Sequence, residues 1–300
     1  MAIVPGIPGL SVSIGLVSED KPLEEFEHPN PEHPSRRRPR RSKFHLPESH
    51  GKDEPLPYVN KYIQSHPGKE FEFILTVDPS FQPLGPKIGF RSTIDGEVIG
   101  GFASDSNEKT LERKWEGRCC FNVIGNNTAG YKTQRFSFAP LRIVPAGEDY
   151  VSGLKKQRPI AHLCGKLVVM CYFIQNTIPL DSPLSYPAAI GCSELSEEAM
   201  KGREIDSRTA FKLEPRSRDA IPIHVDWHHS DTQNRPFAIF EFYYLSKQGL
   251  INQGVIPRPS AVEEVASMTE QEVRARLTNI VEDNELAQQI SRRLDIKPTE

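Results

Sequence analysis

The alternation of apolar and polar positions is clearest between Pro57 and Phe102, and the elements it predicts there organise the rest of the chain. Phe71, Phe73, Leu75 and Val77 fall on one face of a period-two strand, with Glu72 and Thr76 on the other and Ile74 the single apolar exception. That pattern predicts a half-buried strand. A second run after Pro86 stops at Asp95-Gly96 and resumes at Glu97-Val98-Ile99. Asp-Gly between strand-like runs supplies the positive φ angles of a type I′ turn, so a hairpin is expected. Upstream, residues 10–17 read as a short strand, and 18–22 turn the chain back toward 23–27 in an opening hairpin.

Further strands follow the same logic. Residues 119–124 are strand-like, 125–130 form a turn, and 134–144 alternate, with Pro140 marking an edge or a bulge. Residues 163–175 are apolar on both faces, which suits a strand covered on both sides. Glu194, Glu197 and Glu198 mark a short helix, and 237–245 is the last clear strand. After Pro257 and Pro259 the pattern becomes helical. Thr269 followed by Glu272 matches a capping box, worth about 1 kcal/mol at a helix start. Val273, Leu277, Ile280 and Val281, then Leu286, Ile290 and Leu294, continue an apolar stripe through two short amphipathic helices. Strands with hairpin signals and no alternating helices predict a mainly β fold: a two-sheet antiparallel β-sandwich over residues 1–255 and a helical tail over 256–300.

Composition changes this picture at one place. Residues 28–56 are rich in proline, charge and histidine and poor in apolar side chains, so they are expected to form a disordered insertion. The insertion carries Arg36, Arg37, Arg38, Arg40, Arg41 and Lys43, six cations within eight residues. Such a run is read by nuclear import receptors or neutralises phosphates. No folded reading element for nucleic acid accompanies it, so import is the preferred reading. The formal charge of −3 gives no whole-chain attraction to nucleic acid or to anionic membrane.

The apolar N-terminus lacks a basic leader and is broken by Pro5, Gly6, Pro8 and Gly9, so it reads as a strand and not as a signal peptide. No window approaches the ~20 apolar residues of a membrane-spanning helix. The five cysteines are odd in number, include the adjacent pair Cys119-Cys120 and contain no C-x-x-C spacing. They suggest reduced thiols in an intracellular protein of nucleus or cytoplasm.

Two motifs bear on chemistry. Gly125 to Thr133 approaches a phosphate-binding loop but has one residue too many before Lys132 and lacks the helix such a loop requires, so a hairpin turn is expected. On a strand, His224, Asp226 and His228 share one face and offer two imidazoles and a carboxylate to a divalent ion, although no third histidine is placed. No cofactor motif is present, and no nucleophile elbow.

Taken in order, Ile7-Pro8-Gly9-Leu10, Lys61-Tyr62-Ile63, Pro67-Gly68-Lys69-Glu70-Phe71, the Asp95-Gly96 hairpin, Phe136-Ser137-Phe138 and Lys201-Gly202 resemble a fungal family catalogued as a domain of unknown function. The likeness covers roughly residues 5–250. It implies a β-sandwich-like core and no assigned activity. Asp206-Ser207 stands where the family pattern places a Ser-His pair, so no role of that histidine carries over. The sequence as a whole points to a non-enzymatic intracellular interaction module that offers sheet edges or loops to a protein partner. The alternative is a metal-dependent sandwich or barrel enzyme using His224, Asp226 and His228.

Overall fold

The structure is a computed structural model that describes residues 1–30, 56–105, 114–126, 130–145, 150–179, 194–202, 205–216, 225–229, 235–260, 263, 266, 269–275 and 277–278. Internal packing divides the chain into two units, Met1–Ile256 and Pro257–Glu300. The first is mainly β, with several antiparallel and mixed sheets and a few short helices.

Its largest sheet has seven strands. Six run in the order β3 (Glu25–Phe26), β4 (Tyr58–Gln64), β16 (Ala238–Leu245), β12 (Lys166–Pro179), β6 (Lys87–Ile94) and β7 (Glu97–Asp105), and β15 (Val225–His229) pairs with the second half of β12. A four-stranded sheet is ordered β1 (Ala2–Ile3), β2 (Leu10–Leu16), β5 (Phe71–Val77), β8 (Trp115–Cys119). A three-stranded sheet is ordered β14 (Ser207–Arg216), β10 (Gly130–Pro140), β9 (Phe121–Asn126), and β11 (Arg142–Val144) pairs with β13 (Glu194–Ser196). Among the described residues of this unit are the helices α1 (Tyr150–Leu163), α2 (Glu197–Met200) and α3 (Lys247–Asn252), the last following β16.

One apolar cluster draws on three of these sheets. Leu10, Ile14, Phe71 and Phe73 come from the four-stranded sheet, Phe90, Val169, Phe240 and Phe242 from the seven-stranded sheet, and Phe136 and Phe138 from the three-stranded sheet. The rings of Phe71 and Phe138 stack at 4.4 Å, joining two of them directly. The sheets are also continuous at a corner. Cys119 pairs with Phe73 on β5, while Phe121, two residues on, pairs with Arg135 on β10, so the chain changes sheet at Cys120.

The Asp95-Gly96 hairpin forms as its dipeptide requires. Asp95 has φ 51° and Gly96 φ 84°, and Ile94 pairs with Glu97. In the stretch 125–130, of which 127–129 lie outside the described residues, Gly130 pairs with Asn126 and is followed by a strand, not a helix. The capping box is reciprocal: Thr269 N–H donates to Glu272 Oε2 (2.7 Å) and Glu272 N–H to Thr269 Oγ1 (3.3 Å). Residues 270–275 are helical, and a second such box joins Ser260 to Glu263.

Four expectations need correction. First, the sheets are not wholly antiparallel, because β4 runs parallel to β16 and β11 parallel to β13. A period-two pattern specifies which face is apolar but carries no direction, and no tight turn links either pair. Second, β5 is buried on both faces, Glu72 and Thr76 each being 6% exposed. Gly15 leaves room for Ile74, since a Cβ there would lie 2.7 Å from Ile74 Cδ1, and Arg118 reaches over to Glu72 at 2.6 Å. Third, the opening hairpin is reduced to a bridge between Gly15 and Pro22 and a bond from Leu23 N–H to Ile14 O (2.7 Å). Glu25 and Phe26 then pair with Ile63 and Tyr62 of the other sheet. Fourth, α1 was not anticipated; Pro159 lies inside it, and proline ordinarily ends a helical pattern. Gly165, at φ 79°, stops it just before β12.

Candidate functional site

Three carboxylates gather hydrogen bonds from distant parts of the β unit: Asp95 and Glu241, which are buried, and Asp206, which is half-buried. Asp95 occupies the first central position of its hairpin turn. Gly165 N–H (2.8 Å) and Lys166 N–H (3.2 Å) donate to Oδ1, Thr209 N–H (3.1 Å) donates to Oδ2, and Tyr244 Oη donates at 2.8 and 2.7 Å to the two oxygens. Asp95 N–H in turn reaches Lys166 O at 2.9 Å. Burial pushes the Asp95 carboxyl up to about 6, against the opposing pull of Tyr244, Thr209, Lys166 and Gly165. The Tyr244 hydroxyl is held well above its ordinary range, first by burial and then by the Asp95 charge, so it stays a donor.

The second carboxylate, Glu241, sits on the face of the seven-stranded sheet opposite the main core. The hydroxyls of Tyr58 and Tyr243 both donate to its Oε2, the latter at 3.1 Å, and Lys166 Nζ lies 3.7 Å from Oε1. Lys166 also stands over the Tyr243 ring at 5.2 Å, and that ring stacks on Tyr62 at 5.1 Å. Burial raises both Tyr58 and Tyr243, with the Glu241 charge the next cause. Such tyrosines are poor acids and keep their protons as donors. They fix the carboxylate in place. Beside them Val168, Met170, Tyr172 and Ile239 form a buried apolar cluster. The third carboxylate, Asp206, accepts Ser246 N–H (2.9 Å), the Ser246 hydroxyl and the Ser207 hydroxyl (2.9 Å), which ties the start of β14 to the N-terminus of α3. Ser207 Oγ lies 2.7 Å from Ser65 Oγ, carrying the chain of bonds to the end of β4.

None of these groups was singled out from the sequence as a site. Asp95 was legible only as a turn residue. Glu241 had one signal, an acid alternating with Tyr243 inside the apolar run of β16, and its partners Tyr58 and Lys166 come from distant strands.

The residues that were singled out lie elsewhere. Arg36, Arg37, Arg38, Arg40, Arg41, Lys43 and His224 fall outside the described residues. Asp226 and His228 lie two apart on β15, opposite Ile178 and Asn176 of β12. Among the described residues no group of three His, Cys, Asp or Glu is arranged to hold a metal ion. Among them, too, no helix is long and apolar enough to cross a membrane.

Some of the exposed apolar side chains lie on edge strands and one on a pinned loop. Leu213 on β14 is 47% exposed and Val98 on β7 40%. Leu84 is 85% exposed in the loop after β5. That loop is held at its base: Asp78 N–H donates to Gly9 O (2.7 Å), Ser80 N–H to Asp78 Oδ1 (3.0 Å) and Phe81 N–H to Asp78 O (2.9 Å). Phe81 is buried with its ring stacked on Phe237, and Pro83 and Pro86 flank Leu84.

Asp95 and Tyr244 generate a signed expectation. The folded pKa of Asp95 exceeds its unfolded value, so its contribution to stability is fully present below about pH 4 and is lost as pH rises through 6. Tyr244→Phe removes a donor to the anion and raises that pKa further. Urea denaturation is expected to show a loss of about 1–3 kcal/mol at pH 8 and a smaller loss at pH 4.5. An equal loss at both values would contradict the assignment.

No curated protein and no solved structure matches the chain. A family model does, over residues 9–259, under the description domain of unknown function DUF7918. That span takes in every strand of the three large sheets except β1, together with Asp95, Glu241 and Asp206. On this match the chain belongs to the DUF7918 family.

Proposed function

We propose that this chain is a non-enzymatic, intracellular protein-interaction module. Its four- and seven-stranded sheets act as the two layers of a β-sandwich, closed at one side by the three-stranded sheet. The observation that carries the reading is the Leu84 loop. A leucine 85% exposed, between two prolines, on a loop anchored by Phe81 and Asp78, costs little further entropy when it enters an apolar pocket on a partner. The saturated carboxylates fit the same reading, since Asp95, Glu241 and Asp206 each spend their acceptors on the fold. Affinity capture from native cells, compared quantitatively for wild type and Leu84→Ser, tests it. Specific prey should fall at least about tenfold with the variant, a loss of about 1.4 kcal/mol, while the thermal midpoint stays unchanged. Prey insensitive to Leu84 would refute this docking mode.

A metal-dependent enzyme is the second reading, favoured by the placement of Asp226 and His228 two apart on one strand. Elemental analysis decides between the two. Stoichiometric metal that disappears in His224→Ala and His228→Ala would replace the interaction reading.

The basic run is assigned to recognition by a nuclear import receptor, which reads accessible cationic sequence. Alanine at Arg36, Arg37, Arg38, Arg40 and Arg41 should leave stability unchanged and move a tagged protein from nucleus to cytoplasm. An unchanged distribution excludes import through this segment.

A further inference from the structure

Strand β14 forms one edge of the three-stranded sheet, with β10 on its inner side. Three bonds reveal which of its peptide groups face outward. Thr209 N–H leaves the ladder for Asp95 Oδ2. Its cross-strand partner Phe138 also bonds away from β14, donating to Lys69 O (3.0 Å) and accepting from Gly68 N–H (2.7 Å). Thr209 and Phe138 are therefore a non-hydrogen-bonded pair. The two-residue repeat of an antiparallel ladder makes Phe211 with Phe136, and Leu213 with Gln134, pairs of the same kind. Phe211 and Leu213 thus turn their N–H and C=O groups to the open side, where no described residue pairs with them.

The side chains along this edge alternate in character. Leu213 is exposed on one face. Lys212 and Glu214 lie on the other, with side-chain exposures of 69% and 34%. Lys212 Nζ is 2.9 Å from Glu214 Oε1, and Arg135 Nε is 3.0 Å from Glu214 Oε2.

We propose that this edge pairs antiparallel with the same edge of a second copy of the chain, about a two-fold axis at Leu213. In that register each Leu213 exchanges both backbone bonds with its counterpart and covers the counterpart's side chain. Phe211 N–H meets the C=O of Pro215, and Pro215, having no N–H, closes the ladder there. Lys212 stands opposite the second copy's Glu214, and Glu214 opposite its Lys212, in the closely spaced non-hydrogen-bonded positions.

Adjacent registers fail on charge or on bonding. Centring on Lys212 sets it against its own copy, a like-charge pair. Centring on Phe211 sets Leu213 against Thr209, whose N–H is already committed to Asp95. A lysine on an edge ordinarily discourages pairing; here it selects one register. The inference goes beyond the interaction reading, which needs no second copy and would survive a monomeric result.

Sedimentation velocity on the full chain tests the pairing. The wild type should show a concentration-dependent dimer by about 100 μM, the weak regime a short edge supports. Lys212→Glu, at an exposed position, should abolish it without changing circular dichroism, and Lys212→Glu with Glu214→Lys should restore it. A wild type that stays monomeric overturns the proposal. So does a dimer that Lys212→Glu leaves intact, because the contact would then lie elsewhere.

Discussion

Much of the β unit depends on an anion placed where anions are costly. Removing a carboxylate from water carries a penalty of several kcal/mol, which only saturating hydrogen bonds offset. Asp95 meets that condition by recruiting donors from the start of β12, from β14 and from β16. The turn that carries it cannot shift without leaving a buried charge unpaired. Gly96 adds a steric constraint, since a Cβ there would lie 2.4 Å from Leu163 Cδ1 at the end of α1. Hairpin, helix terminus and three further strands are thereby fixed relative to one another.

Two further acids, the half-buried Asp206 and the buried Glu241, extend this principle to the periphery. Asp206 locks α3 to the start of β14, and Gly249 of α3 has no side chain because a Cβ would meet Asp206 Oδ2 at 2.6 Å. Glu241 holds Tyr58, Tyr243 and Lys166 on the face of the large sheet that turns away from the main core. Each carboxylate replaces water with protein donors, and each ties together segments far apart in sequence. This arrangement fits the interaction role proposed above.

Much of the strand content was legible in the sequence because period-two alternation reports directly on which side chains leave water. The apolar run at 163–175 announced the doubly flanked β12, and Asp95-Gly96 announced its hairpin. α1 was hidden because Pro159 interrupts the helical signal. The basic run and the His224 group were visible as composition, yet that alone does not give them a place in the fold.

What the sequence determined by itself is local: which residues alternate, where φ must be positive, and that Thr269 and Glu272 cap a helix. These depend on sterics and hydrogen bonds within a few residues of chain. Tertiary structure alone decided the rest. It set the parallel pairing of β4 with β16, the burial of Glu72 on the second face of β5, and the partnership of Asp95 with Tyr244 across 149 positions. A carboxylate in a turn looks solvated until distant strands close over it. Its partners are chosen by the packing of sheets, for which no short stretch of sequence carries the address.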